Sequence, residues 1–303
     1  MNTRTPSYRG RFAPSPTGSM HFGSLVAAVG SYLDARSCQG KWLVRMEDLD
    51  PPRVVAGAAD NILRTLEAFG LFWDGDVVFQ SRRGEAYRAA LDVLQQQGVL
   101  YPCNCSRREI ADSALEASTG LIYQGQCRSG MRKGRAAHAL RVITDNHPIK
   151  FCDRLLGDCG QRLEADVGDF VLRRADGLYA YQLAVVVDDA EQGITHIVRG
   201  ADILDSTPRQ IYLQHLLGLS TPSYLHLPVA VNVQGEKLSK QTLAPALNPA
   251  DPVPQLVRAL GFLGQEPPPG LAGADLADFW AWAVANWSAR KIPPRRAIPA
   301  SSQ

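Results

Sequence analysis

The chain has 303 residues, of which 45% are hydrophobic and 20% charged, with a formal net charge of +2. That composition is ordinary for a globular protein with one large or two modest cores, and it excludes a disordered or low-complexity chain. No apolar run reaches membrane-spanning length and Met1 to Tyr8 lacks the apolar core of a signal peptide, so a cytoplasmic protein is expected.

In chain order, Arg9 to Ala13 reads as a short strand, broken by Pro14-Ser15-Pro16-Thr17-Gly18. A helical stripe of Leu25, Val29, Tyr32 and Leu33 follows and ends near Gly40. Lys41 to Met46 is a second strand. Ile62, Leu66 and Phe69 form a helical stripe stopping at Gly70, and Tyr87, Leu91 and Leu94 another stopping at Gly98. This alternation predicts an α/β fold, a Rossmann-like doubly wound parallel sheet with helices on its faces. Residues 1–100 are read as the first half of a nucleotide-binding domain. Residues 101–168 hold most of the cysteines and little periodicity, and are read as an insertion. Regular structure resumes at Phe170–Arg173, Leu183–Val187 and Ile194–Val198. Thr207-Pro208 predicts a helix cap with proline at the first helical position, before Ile211–Leu217 and a stop at Gly218. Tyr224–Val231 is a further strand candidate. Residues 169–245 thus form the second half of the domain, and 246–303 a helical C-terminal subdomain whose three tryptophans between Asp278 and Trp287 pack on the main body.

The run Arg11 to Ser24 is a strand end, a tight turn and a helix start, a junction that offers free backbone N–H groups and a positive dipole end to an anion. Gly23 in the first helical turn costs roughly 1 kcal/mol against alanine, which suggests that something approaches the backbone there. Gly235-Glu236-Lys237-Leu238-Ser239-Lys240-Gln241 places two lysines around a serine, able to neutralise phosphate charge. Each segment alone is also a common loop. Cys103, Cys105 and Cys127 can supply three thiolates to a tetrahedral zinc shell, with Cys152 and Cys159 as a rival pair.

Taken together, the two segments resemble the signature motifs of class I aminoacyl-tRNA synthetases. His21-Phe22-Gly23-Ser24 stands for His-Ile-Gly-His, and Lys237 to Gln241 for Lys-Met-Ser-Lys-Ser. Arg11 to Gly23, with Glu47-Asp48-Leu49-Asp50, resembles the glutamyl/glutaminyl subgroup, and the likeness extends from about residue 8 to 245. The resemblance implies attack of a glutamate carboxylate on the α-phosphorus of ATP, giving glutamyl-adenylate and pyrophosphate. His21 and Lys240 take the catalytic roles by charge stabilisation. ATP is expected on Pro14, Thr17, Gly18, His21, Gly23, Ser24, Lys237, Ser239 and Lys240, with Mg²⁺ accompanying it. Ser24 replaces a histidine of the common pattern but can still donate one hydrogen bond.

A glutamate pocket needs arginine for carboxylate and an acid for ammonium. Arg11, Glu47 and Arg199 fall at strand ends facing a ligand crevice. With them, Phe12, Ala13, Pro14, Ser15 and Tyr181, at positions matching the family, complete the expected set. The cysteine pattern resembles a zinc site of one subfamily with Tyr123 as fourth ligand, which implies one structural zinc on Cys103, Cys105, Tyr123 and Cys127. In a chain of 303 residues, 63 follow Lys240, too few for an anticodon-binding domain. Short zinc-bearing chains of this kind resemble the glutamyl-queuosine tRNA(Asp) synthetases, which implies tRNA-independent activation and transfer of glutamate to queuosine in the anticodon of tRNA(Asp). A shortened conventional glutamyl-tRNA synthetase and a catalytically silent RNA-binding relative are the alternatives.

Overall fold

A computed structural model describes residues 7–106, 108–110, 115–117, 120–131, 134, 138–232, 234–238 and 245–300. Strand β1 (Arg9–Phe12) leads through α1 (Phe22–Arg36) to β2 (Lys41–Met46), and α2 (Ala58–Ala68) leads to β3 (Val78–Phe79). These three strands pair in parallel, with Arg11 opposite Leu43 and Arg45 opposite Val78. Helix α3 (Gly84–Gln96) closes the first half. Gly70 and Gly98 follow α2 and α3 at φ +69° and +70°, the left-handed helix stop that the sequence predicts.

The second half returns to the same sheet. β11 (His196–Gly200) and β12 (Ser223–Leu227) pair in parallel. Thr195 N–H donates to the Arg9 carbonyl at 2.9 Å, and Arg9 N–H donates to Thr195 Oγ1 at 2.9 Å. β1 and β11 therefore stand side by side. On one face α1 spans both halves, with Leu25, Val29 and Leu33 fully buried against Trp42, Val44, Leu225 and Leu227. On the other face Tyr87, Leu91 and Leu94 pack with α5 (Tyr181–Glu191) and α6 (Thr207–Leu216). Helices thus cover both faces of the parallel sheet, as in α/β folds generally.

Residues between the halves form three antiparallel units. β4 (Leu100–Cys103), β7 (Ala139–Val142) and β10 (Phe170–Arg173) make one sheet. β8 (Pro148–Asp153) and β9 (Gly157–Arg162) form a hairpin whose Asp153 pairs with Tyr224 of β12, extending the parallel sheet. β5 (Leu115–Ala117) and β6 (Gly120–Ile122) pair with each other. A four-residue α4 (Leu163–Asp166) precedes β10.

The regular segment expected at Leu183–Val187 is part of helix α5. Two expectations change in detail. The stretch Tyr224–Val231 splits at Pro228, which has no N–H to give a ladder, into β12 and β13 (Val229–Val231), the latter pairing with β14 (Ala297–Pro299). Thr207 is the first helical residue and not the cap, because buried partners in the sheet take its hydroxyl. Helices α7 (Pro252–Phe262) and α8 (Leu276–Asn286) pack on the body as the tryptophans suggested. Trp280 Nε1 donates to the Phe69 carbonyl at 2.9 Å, and its ring meets Tyr32 at 4.8 Å. Among the described residues, no helix is long and apolar enough to cross a membrane.

Candidate active site

The turn after β1 delivers His21 as the N-cap of α1, in extended backbone geometry. Its Nδ1 accepts from Ser24 N–H at 3.4 Å, and Ser24 Oγ accepts from His21 N–H at 2.7 Å. This reciprocal capping box gives position 24 a structural task that a hydroxyl performs as well as any imidazole. It fixes the His21 ring against the first turn of α1, beside Gly23. Gly23 answers the question its helix cost raised. A Cβ there would lie 3.2 Å from His21 Cε1 and 3.3 Å from the Leu238 carbonyl, so the second signature segment approaches this backbone directly.

Between the two segments lies a cleft of about 860 Å³. Of the expected ATP and glutamate residues it is lined by Phe12, Pro14, Ser15, Thr17, His21, Gly23, Ser24 and Lys237. Gly18, at φ +136°, turns the loop, and Ala13 directly follows β1, but neither lines the cleft. Lys237 Nζ is held 2.6 Å from Asp202 Oδ2, which follows β11. Ser239 and Lys240 lie outside the described residues.

Strand alternation separates a second group from this cleft. Phe12 packs on the α1 face, while Arg11 turns to the face covered by α5. There Arg11 Nε donates to Asp189 Oδ1 at 3.0 Å and Arg45 Nη2 donates to the same oxygen at 2.8 Å. Glu47, just past β2, lies 3.6 Å from Arg45. Burial pushes the Glu47 carboxyl above its ordinary range, more than Arg45 and Arg11 pull it down. Burial also pushes Asp189 up, but the same two guanidiniums more than offset it and hold that carboxyl low. Tyr181 opens α5, and its hydroxyl is 3.5 Å from Arg199 Nη1 on β11. Burial raises the Tyr181 hydroxyl above its ordinary value, and Arg199, Glu47 and Arg11 all act on it electrostatically. Arg11, Glu47, Tyr181 and Arg199 thus converge from four elements.

The cysteines form a separate centre. The sulfurs of Cys103, Cys105 and Cys127 lie within 4.8 Å of one another. Tyr123 Oη is 3.2 Å from Cys103 Sγ and 3.6 Å from Cys105 Sγ, and it accepts from Cys127 N–H at 3.1 Å. Ligands about 2.3 Å from a shared metal would sit roughly 4 Å apart, and three thiols and a phenol gathered this closely are a donor set that could hold a metal ion. Burial pushes the Cys105 thiol up to about 11. Cys152 and Cys159 occupy neighbouring rungs of the β8–β9 hairpin, outside this cluster. The cluster could hold a metal, and the rival pair is not part of it.

Several site residues escaped the sequence reading. Asp188-Asp189 was visible as two carboxylates ending the apolar run Val185–Val187, an unusual place for acids unless paired. Arg45 Nη1 also reaches Gln192 at 2.7 Å, a contact that no local pattern shows. Thr207, Gln210 and His226 bond Arg199, and Asp153 stands behind His226; the four come from three distant segments.

Sequence comparison agrees with this geometry. Residues 7–251 match the model of tRNA synthetases class I (E and Q), catalytic domain. A protein named glutamyl-Q tRNA(Asp) synthetase from Dechloromonas aromatica is 62% identical over 96% of this chain and 97% of its own length. A protein of the same name from Chromobacterium violaceum is 59% identical over 94% of this chain and 95% of its own. Among solved structures, a glutamate tRNA ligase from Elizabethkingia meningosepticum in complex with its amino acid superposes with a TM-score of 0.79 at 22% identity. That likeness covers 96% of this chain but 66% of the ligase, just under two thirds of its length. A capped signature helix facing a second loop across a cleft, with the family match over most of the chain, establishes that this protein belongs to the class I tRNA synthetases of the E and Q group.

Proposed function

We propose that this chain activates glutamate with ATP, without tRNA, and passes the glutamyl group to queuosine in the anticodon of tRNA(Asp). The observation that carries the reading is the near-full-length identity to relatives that bear the glutamyl-Q tRNA(Asp) synthetase name. The geometry is compatible with it, and a cytoplasmic enzyme is the natural setting.

In the first step a carboxylate oxygen of glutamate bonds to the α-phosphorus and the bond to the bridging oxygen of pyrophosphate breaks. No protein nucleophile is required, so the residues act by position and charge. The open N–H groups at the start of α1 and the His21 ring would hold the phosphate region, with Lys237 and Lys240 following the departing pyrophosphate. Mg²⁺ bound with ATP would add further charge neutralisation. Arg199 and Arg11 would face the carboxylates of glutamate, and Glu47 its ammonium, with Tyr181 between them. In the second step the acyl–phosphate bond breaks and AMP leaves as the glutamyl group passes to queuosine.

Cys103, Cys105, Tyr123 and Cys127 would hold one structural zinc. Cys103→Ser should lower the bound zinc measured by metal analysis from one equivalent to near none. Unchanged metal content would remove these residues from the site.

The deciding experiment is glutamate-dependent ATP–pyrophosphate exchange with no tRNA. Exchange, followed by glutamate transfer to queuosine-containing tRNA(Asp) and not to tRNA(Glu), is expected. Exchange only with tRNA(Glu) would make this a conventional glutamyl enzyme, and no exchange under either condition would overturn the enzymatic reading.

A further inference from the structure

Arg199 is 5% exposed, yet among the described residues it makes no ion pair. Its guanidinium is held entirely by neutral acceptors. Nε donates to His226 Nε2 at 3.1 Å, Nη1 to Gln210 Oε1 at 2.8 Å and Nη2 to Thr207 Oγ1 at 2.7 Å. A buried cation without a counter-ion is costly unless an anion arrives to pair with it.

The acceptor role of His226 depends on where its proton sits. The ring is fully buried, and its Nδ1 lies 2.7 Å from Asp153 Oδ2. Asp153, also fully buried, accepts in addition from the backbone N–H groups of Leu155 and Leu156 at 3.0 Å and of His226 at 3.1 Å. Those donors fix its orientation. A carboxylate on Nδ1 places the single proton there and leaves Nε2 as a lone pair. An imidazolium would instead present an N–H to the Arg199 Nε–H. The other groups acting on the ring are the Thr207 hydroxyl, 3.1 Å from Nε2 and able to donate to the same lone pair, the Tyr224 ring stacked at 6.0 Å and the charge of Arg11.

We propose that Asp153 and His226 are positioning residues that hold Arg199 in place through the Nδ1–H tautomer, leaving its charge for a carboxylate of the bound amino acid. This rests on the glutamate-activation reading above. It also gives the β8–β9 hairpin, which brings Asp153 to the sheet edge, a part in substrate binding.

Three variants test this. In Asp153→Asn the amide cannot accept on both sides. Either its NH₂ faces His226 and drives the proton to Nε2, or two backbone donors lose their acceptor. His226→Asn keeps a donor toward Asp153 but withdraws the acceptor from Arg199, and His226→Gln does the reverse. In tRNA-free exchange, D153N and H226N should raise KM for glutamate by about 10-fold or more, with KM for ATP unchanged within about two-fold. H226Q should recover most of the glutamate KM although it perturbs the same buried site. Unchanged glutamate KM in D153N and H226N, or glutamate and ATP KM rising together, would reduce the pair to a structural role. Should the variants not fold, ¹⁵N NMR of the wild-type ring decides. A neutral Nδ1–H form near neutral pH supports the proposal, and an Nε2–H or doubly protonated ring overturns it. If wild type shows no glutamate exchange, the functional reading fails first, and the NMR result still judges the His226 arrangement independently.

Discussion

The two sides of the buried polar group solve the same electrostatic problem in opposite ways. At the ends of β1 and β2, Arg11 and Arg45 share Asp189, with Glu47 and Asp188 nearby. At the ends of β11 and β12, Arg199 is surrounded by a threonine, a glutamine and a histidine. The paired side is held in place by its own ion pairs. The unpaired side keeps a cation in reserve. A zwitterionic amino acid with an extra carboxylate suits such an asymmetric pocket better than one in which every charge is already matched.

The largest predicted effect comes from breaking the paired side. Asp189→Ala would leave two buried guanidiniums without their shared partner and should cost about 3–5 kcal/mol, read as a lower midpoint in denaturant. A loss under about 1 kcal/mol would mean that water or Glu47 replaces the carboxylate, and the contrast between the two sides would collapse. A steric control lies in the cleft that neither side touches. Gly23→Ala should add roughly 1 kcal/mol of helix propensity, so thermal stability should hold or rise. The added Cβ would crowd His21 and Leu238, and KM for ATP should rise about 10-fold while glutamate binding is spared. Equal loss for both substrates would show that the two regions are not independent.

The smallest effect sharpens the neutral side. Burial above all, with help from Arg199 and against the pull of Asp153, lowers the His226 imidazole below its ordinary value. As pH falls below the ordinary histidine value of about 6.5, the unfolded chain takes up a proton that the folded chain refuses. Stability therefore drops toward acid pH, by at most about 1.4 kcal/mol per unit for this group. His226→Gln should flatten that slope between neutral pH and about pH 5 in urea titrations. His196, likewise lowered chiefly by burial, contributes a parallel component that survives the substitution.

Features written locally in the chain could be read from it directly. Helix stripes placed α1, α2 and α3, and left-handed glycine stops closed α2 and α3, because amphipathic periodicity and caps are properties of neighbouring residues. The signature junction was legible for the same reason, since turn, cap and dipole all lie between Arg11 and Ser24. Tyr123 beside the three thiols was reached only through resemblance, and the tertiary structure then brought its hydroxyl within 3.2 Å of Cys103. Tertiary structure alone decided the partners of the buried charges. Asp189 meets Arg11 across a gap of 178 positions, and Asp153 meets His226 across 73. Such pairs leave no periodic trace, because their stability depends on which strands become neighbours and how much water that excludes. The same physics turned Thr207 from a predicted helix cap into a ligand of Arg199: in a buried site an interior hydrogen bond to a cation outweighs a cap that solvent can replace.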